Sequence, residues 1–238
     1  MIHALHGNLG SIADWEGLGL DNCSAVDLWE ALEDGSDPSL ADWGREFSAR
    51  IRNSGDPCPL LLGYSLGGRL ALHARAADPG LWRGAVLIST HPGLPTVRER
   101  EKRLRRDREW AERARKWPWE DFLAAWNAQP VFAGSGETED RLAAQRLLEP
   151  RRGAIGRAFD LWSLGRQVLE SESLSACRFP VLWLAGERDG RFAAFGRKMS
   201  EIFPDFEFRT VPGRGHRLPT EAPEAVAAAI RDFKNRRL

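Results

Sequence analysis

The stretch Leu62-Gly63-Tyr64-Ser65-Leu66-Gly67-Gly68-Arg69 ends the apolar run CPLLLGY and opens the Leu- and Ala-rich segment LGGRLALHARAAD. The first run reads as a buried strand and the second as a helix. Strand gives way to helix across Gly63-Tyr64-Ser65-Leu66-Gly67, a Gly-x-Ser-x-Gly junction with no room for a loop. Such a bend holds the serine in strained backbone angles, and the glycines let strand and helix approach without side-chain clashes. It also sets the serine beside a helix N-terminus, whose free N–H groups favour developing negative charge.

The alternation continues along the 238 residues, with IHALHG, CSAVDLW, RGAVLIST, FPVLWLAG and FEFRTVPG as further strands. Helices are expected at 12–18 and in DPSLADWGREFSARIRNSG, where Leu40, Trp43, Phe47 and Ile51 share a face. In the closing EAPEAVAAAIRDFKNRRL, Val226, Ile230 and Phe233 do the same. Nearly continuous apolar strands separated by helices imply an α/β fold with a mostly parallel sheet covered on both faces. Residues 95–177 break the pattern and read as helices throughout: VREREKRLRRDREWAERARKW, PWEDFLAAWNAQ, ETEDRLAAQRLLE and GAIGRAFDLWSL. An insertion between parallel strands belongs at the C-terminal strand edge, where ligands bind. The expected division is a core of 1–94 and 178–238 with a helical cap over 95–177.

The 34 basic and 34 acidic residues cancel, which gives no bias toward nucleic acid or an anionic membrane. With 42% hydrophobic and 29% charged residues the chain reads as globular rather than disordered. Cys23, Cys58 and Cys177 form no CxxC pair, which argues against a disulfide framework and against zinc. No metal and no other cofactor is expected. The opening MIHALHGNLG lacks the pattern of a signal peptide, and no run reaches transmembrane length. The expectation is a cytoplasmic protein acting on a small molecule; nothing in the sequence speaks to its oligomeric state.

A serine needs a histidine to become a nucleophile or base, and the histidine needs an orienting acid. For a serine at this kind of bend the chain order is Ser, acid, His. Asp189 in VLWLAGERDGRF and His216 in FEFRTVPGRGHRLP follow Ser65 in that order, each just beyond a strand. Glu187 is the alternative acid. An oxyanion hole would use the backbone N–H of Leu66 and, from the loop LHGNLG, that of Asn8. His6 reads as a brace for that loop, while His3 and His73 read as packed or solvent-facing residues. The plain alternatives are a Ser65 that only makes a turn and a His216 that is an ordinary buried or surface histidine.

The ordered set LHGNLGSIADW, GYSLGGR, GERDGRF and GRGH resembles the α/β-hydrolase superfamily. GYSLGGR, HPGL, an Arg-rich stretch ending in DREW, AAWNAQPVF and GERD together resemble the 2-succinyl-6-hydroxy-2,4-cyclohexadiene-1-carboxylate synthases of menaquinone biosynthesis. The resemblance covers nearly the whole chain. It implies the α/β-hydrolase fold with a helical cap. The implied activity is that of a lyase eliminating pyruvate from 2-succinyl-5-enolpyruvyl-6-hydroxy-3-cyclohexene-1-carboxylate. Carried over motif by motif, it implies Ser65, Asp189 and His216 as catalytic residues. It also implies Tyr64, Arg69, Arg103 and Trp126 as residues binding a polyanionic substrate. Arginine forks suit its carboxylates. For most arginines of the basic stretch, an ordinary solvated helix face laced with ion pairs is the simpler expectation.

The chain departs from that family in three places. It begins almost at the strand before the oxyanion loop, AVDLWEALEDGSDPSL lacks the usual Pro-Gly-His-Gly turn, and Asn8 stands where an aromatic residue is common. Two other activities fit the same residues: a serine esterase or C–C hydrolase using nucleophilic attack, and a non-catalytic ligand-binding protein on this scaffold.

Overall fold

The computed structural model describes residues 1–33, 35–136, 138–168 and 179–238. Cys177, residue 178 and the end of the 95–177 segment lie outside the described residues. The strands are β1 (Ile2–Leu5), β2 (Cys23–Val26), β3 (Leu60–Tyr64), β4 (Gly84–Ile88), β5 (Val181–Gly186) and β6 (Phe206–Val211). They pair in parallel throughout, in the order β2-β1-β3-β4-β5-β6.

Strand side chains alternate between faces, and the core divides accordingly. Leu5, Leu61, Ala85, Leu87, Val181 and Trp183 point to one side. There they meet α1 (Leu40–Asn53) and α2 (Leu66–Ala77) through Leu40, Trp43, Phe47 and Leu70. Ile2, Ala4, Leu60, Leu62, Val86, Ile88, Leu182 and Leu184 point to the other. They meet Trp15 of the 3₁₀ helix Ile12–Leu18 and Val226, Ile230 and Phe233 of the C-terminal helix Pro223–Arg237. The helix expected at 12–18 is thus a 3₁₀ segment, capped by Ser11 and ended by Gly19 at φ 52°.

Between β4 and β5 the chain forms α3 (Val97–Lys116), α4 (Trp119–Asn127), α5 (Glu139–Arg146) and α6 (Arg152–Leu161). The apolar centre of these helices is Trp110, Phe122, Trp126, Ile155 and Phe159, continuous with the core under the sheet. α3 starts with a reciprocal Thr96/Glu99 cap and buries Asp107, Trp110, Ala111 and Ala114 on one stripe. After β5 comes α7 (Gly190–Met199), and after β6 come the short α8 (Leu218–Glu221) and α9 (Pro223–Arg237). Among the described residues no helix is long and apolar enough to cross a membrane. Cys23 and Cys58 are free thiols.

The strand order reverses at the adjacent strands β1 and β3: β2 lies outside β1, and every later strand lies beyond β3. In open α/β sheets ligands bind in the crevice at such a reversal, beyond the C-terminal strand ends. The chain leaves β1 there through Gly7 and Asn8, and leaves β3 through Ser65.

Candidate active site

Ser65 has φ 51° and ψ −106°, a region costly to any residue with a side chain. Its surroundings over-determine that conformation. Ser65 N donates to Ile88 O at 2.9 Å, Thr90 Oγ1 donates to Ser65 O at 2.8 Å, and Gly67 N donates to His6 O at 3.0 Å. A Cβ on Gly67 would lie 2.0 Å from Leu5 O, and one on Gly63 would lie 2.6 Å from Gly67 O and Gly68 Cα. Both glycines are therefore required by backbone contact.

His216 Nε2 lies 3.2 Å from Ser65 Oγ, and His216 Nδ1 lies 2.8 Å from Asp189 Oδ2. Asp189 precedes α7 without capping it, so its carboxylate is free for the imidazole. Both residues are buried. Glu187 is exposed and accepts instead from Gly213 N at 2.7 Å. The His216 ring is walled by Phe192 (centroids 4.5 Å apart), Tyr64 (5.6 Å) and Phe132 (5.8 Å). Its backbone N donates to Ser135 Oγ at 2.9 Å, a contact from the helical insertion. An imidazole so held can take the hydroxyl proton on one edge while a carboxylate stabilises the other.

Leu66 is the first residue of α2, where amides have no acceptor within the helix, and its side chain lies in the core. Asn8 lies in a tight turn with Leu9 at φ 52° and Gly10 N donating to Gly7 O at 3.1 Å. His6 sits beneath this turn. Its Nδ1 pairs with Gly7 O at 2.9 Å, and its Nε2 accepts from Leu28 N at 3.1 Å. Burial pushes the His6 pKa down to about 4, and the neutral ring is the form this bonding needs. Trp29 Nε1 donates to Gly10 O at 2.9 Å, so the unusual segment after β2 is tied to the same loop. His3 is buried against Asp56 at 3.0 Å, and His73 is buried within α2.

A cavity of about 470 Å³ opens above Ser65. Asn8, Tyr64, Arg69, Arg103, Trp126, Asp189 and His216 all line it. A larger depression of about 870 Å³ beside β2 contains the His3–Asp56 pair and none of these groups. Arg69 is buried and its Nη1 donates to Trp162 O at 2.7 Å. Burial, reinforced by the neighbouring Arg103, pushes its pKa down to about 9, so it stays charged at neutral pH. Arg103 Nε donates to both oxygens of Asp107, at 2.7 and 2.9 Å. It therefore combines both expectations, facing the cavity while pairing with a helix neighbour. Trp126 packs against Trp110 and Phe159 with centroids 5.2 Å away in each case, and its Nε1 is buried without a partner among the described residues. Burial raises the Tyr64 pKa and keeps the phenol neutral.

Sequence reasoning missed Arg106, Arg188 and Arg191, which also line the cavity. The last two flank Asp189 in GERDGRF and were open to the same inference. Arg106 is held by Gln129 Oε1 at 2.8 Å, a cross-helix contact without a local signature. Among the described residues no group of three His, Cys, Asp or Glu side chains could hold a metal ion.

The model of the alpha/beta hydrolase family matches residues 5–229. The 2-succinyl-6-hydroxy-2,4-cyclohexadiene-1-carboxylate synthase of Serratia proteamaculans (strain 568) is 31% identical over 240 residues, 96% of this chain and 91% of that protein. The synthase of Enterobacter sp. (strain 638) is 36% identical over 171 residues, covering 71% of this chain and 64% of that protein, under two thirds of its length. Among solved structures, MenH from S. aureus superposes with a TM-score of 0.88 at 22% identity, covering 98% of this chain and 92% of that one. Naproxen esterase from Bacillus subtilis reaches 0.62 at 22% identity, covering 98% and 83%. These two likenesses show the fold. With a parallel sheet, a Gly-x-Ser-x-Gly bend and a family match over nearly its whole length, the chain belongs to the α/β-hydrolase family and, within it, to the 2-succinyl-6-hydroxy-2,4-cyclohexadiene-1-carboxylate synthases.

Proposed function

We propose that this protein eliminates pyruvate from 2-succinyl-5-enolpyruvyl-6-hydroxy-3-cyclohexene-1-carboxylate, as a cytoplasmic step of menaquinone biosynthesis. The observation that carries this reading is the lining of the cavity above Ser65. Among the described residues, Arg69, Arg103, Arg106, Arg188 and Arg191 face it against two acids, Asp107 and Asp189. The substrate has three carboxylates, and its size suits a cavity of about 470 Å³. In this reading residues 95–177 form a cap that supplies Arg103 and Trp126, while 1–94 and 178–238 form the catalytic core.

In the proposed mechanism His216, oriented by Asp189, draws the Ser65 proton and makes the hydroxyl basic. Ser65 Oγ then takes the ring proton alpha to the succinyl ketone. The freed electron pair forms a double bond to the next ring carbon, the ring double bond shifts by one position, and the bond to the enolpyruvyl oxygen breaks. The departing pyruvate enolate picks up one proton on carbon, matching the one taken from the ring, and becomes pyruvate. The N–H groups of Leu66 and Asn8 hold the ketone oxygen as it gains charge. No acyl-enzyme forms and no cofactor takes part. Arg69, Arg103, Tyr64 and Trp126 hold the substrate.

The test is release of pyruvate from the synthase substrate by purified protein, run beside a panel of short p-nitrophenyl esters. Rapid pyruvate release with negligible ester turnover supports the synthase. Ester turnover alone supports the second reading, a serine esterase or C–C hydrolase for a small carboxylated substrate, which the Ser65–His216 distance of 3.2 Å equally allows.

A further inference from the structure

His91 follows β4 at the start of the turn His91-Pro92-Gly93-Leu94 and faces the cavity above Ser65. Gly93 takes φ 134°, a conformation suited to glycine, and this turns its N–H back onto His91 Nδ1 at 3.1 Å. An Nδ1 that accepts leaves the ring proton on Nε2. The ring is only 5% exposed and packs on Phe195, centroids 4.2 Å apart. Nε2 lies on the ring edge away from the turn and, among the described residues, is buried without a protein partner. The neighbouring Gln167 donates through Nε2 to His91 O at 2.9 Å, while its acceptor Oε1 makes no bond to His91 Nε2 and is itself buried without a partner among the described residues.

A buried donor without an acceptor costs free energy until something fills the role. Trp126 Nε1, on the same cavity, is in the same condition. Burial, with Arg191, Arg69 and Arg103 close by, lowers the His91 pKa to about 3, so the ring stays neutral at physiological pH. A neutral donor among three cations calls for an acceptor that carries negative charge.

We propose that His91 binds the substrate, its Nε2–H donating to a carboxylate oxygen that Arg69 and Arg103 also face. The identity of that carboxylate rests on the synthase reading; the donor and its orientation do not.

The first measurement needs no variant. In protein labelled with ¹⁵N-histidine, His91 should show the neutral Nε2–H tautomer from pH 6 to 8, and succinate, as a dicarboxylate probe, should shift its Nε2 resonance. A His91 signal unmoved by succinate overturns the proposal. The second is kinetic. His91→Phe, which keeps an aromatic ring on Phe195, should raise KM about ten- to a hundredfold with kcat nearly unchanged. His91→Gln, which keeps an N–H donor, should recover most of the loss. An unchanged KM in folded His91→Phe likewise overturns the proposal. A wild-type protein that binds succinate through His91 but releases no pyruvate refutes the synthase reading and leaves the His91 contact standing.

Discussion

Arg103 Nε is gripped by both carboxylate oxygens of Asp107, one turn further along α3. Asp107 is itself buried and accepts from Ser163 Oγ at 2.6 Å. The pair therefore fixes the guanidinium by one edge and leaves its terminal nitrogens for a ligand. Arg103→Ala should lower kcat/KM for pyruvate release about ten- to a hundredfold, since a hydrogen bond to a charged group is worth about 1.5–3 kcal/mol. Turnover of neutral esters, where present, should hardly change. Asp107→Asn should weaken substrate binding in the same direction but less, because the arginine remains. Pyruvate release unaffected by Arg103→Ala would make this ion pair a purely structural one.

Removing the hydroxyl tests the chemistry directly. Ser65→Ala should cut kcat about a thousandfold or more while the melting temperature stays near that of the wild type. Residual activity close to wild type in a folded variant would exclude Ser65 as base and as nucleophile.

The two candidate acids make opposite predictions. Asp189→Asn leaves the contact with His216 Nδ1 in place but removes the charge, and kcat should fall about 10²- to 10⁴-fold. Glu187→Gln alters the Gly213 contact at the loop surface and should leave kcat within about twofold. The ratio of the two rates decides between them.

His6 links the oxyanion loop to acid stability. Its folded pKa of about 4 lies below the ordinary 6.5, so the unfolded chain binds the extra proton between those values. Its stabilisation is complete above about pH 6.5 and is lost as pH falls toward 4, on the order of 3 kcal/mol in all. His73 and His91 are depressed by burial too and add slope of the same sign. Denaturant titrations should show His6→Gln losing less stability than wild type between pH 7 and 4. An identical slope in both proteins would mean that His6 titrates normally.

Gly67 gives a packing prediction. A methyl group there would sit 2.0 Å from Leu5 O, so Gly67→Ala should destabilise by about 3 kcal/mol or more, or prevent soluble expression. Urea denaturation provides the measure; a loss below about 1 kcal/mol would mean that β1 and α2 can separate at small cost.

Local pattern in the sequence carried most of the architecture. The apolar runs that become β1 to β6, the bend at Ser65 and the order Ser65, Asp189, His216 could all be read, because strand burial and tight turns are set by neighbours in the chain. α7 was not foreseen, for its start at Gly190 lies directly behind the loop that mattered for chemistry. Only the tertiary structure turned Asp189 rather than Glu187 toward the imidazole, since two carboxylates on one loop differ just in the direction each side chain takes. It alone buried Arg69 under Trp162 O, 93 residues away in sequence, clamped Arg103 on a buried Asp107 and left His91 Nε2 without a partner among the described residues. These features depend on packing α3 and α6 over strand ends distant in the chain, and no periodicity records a contact of that range.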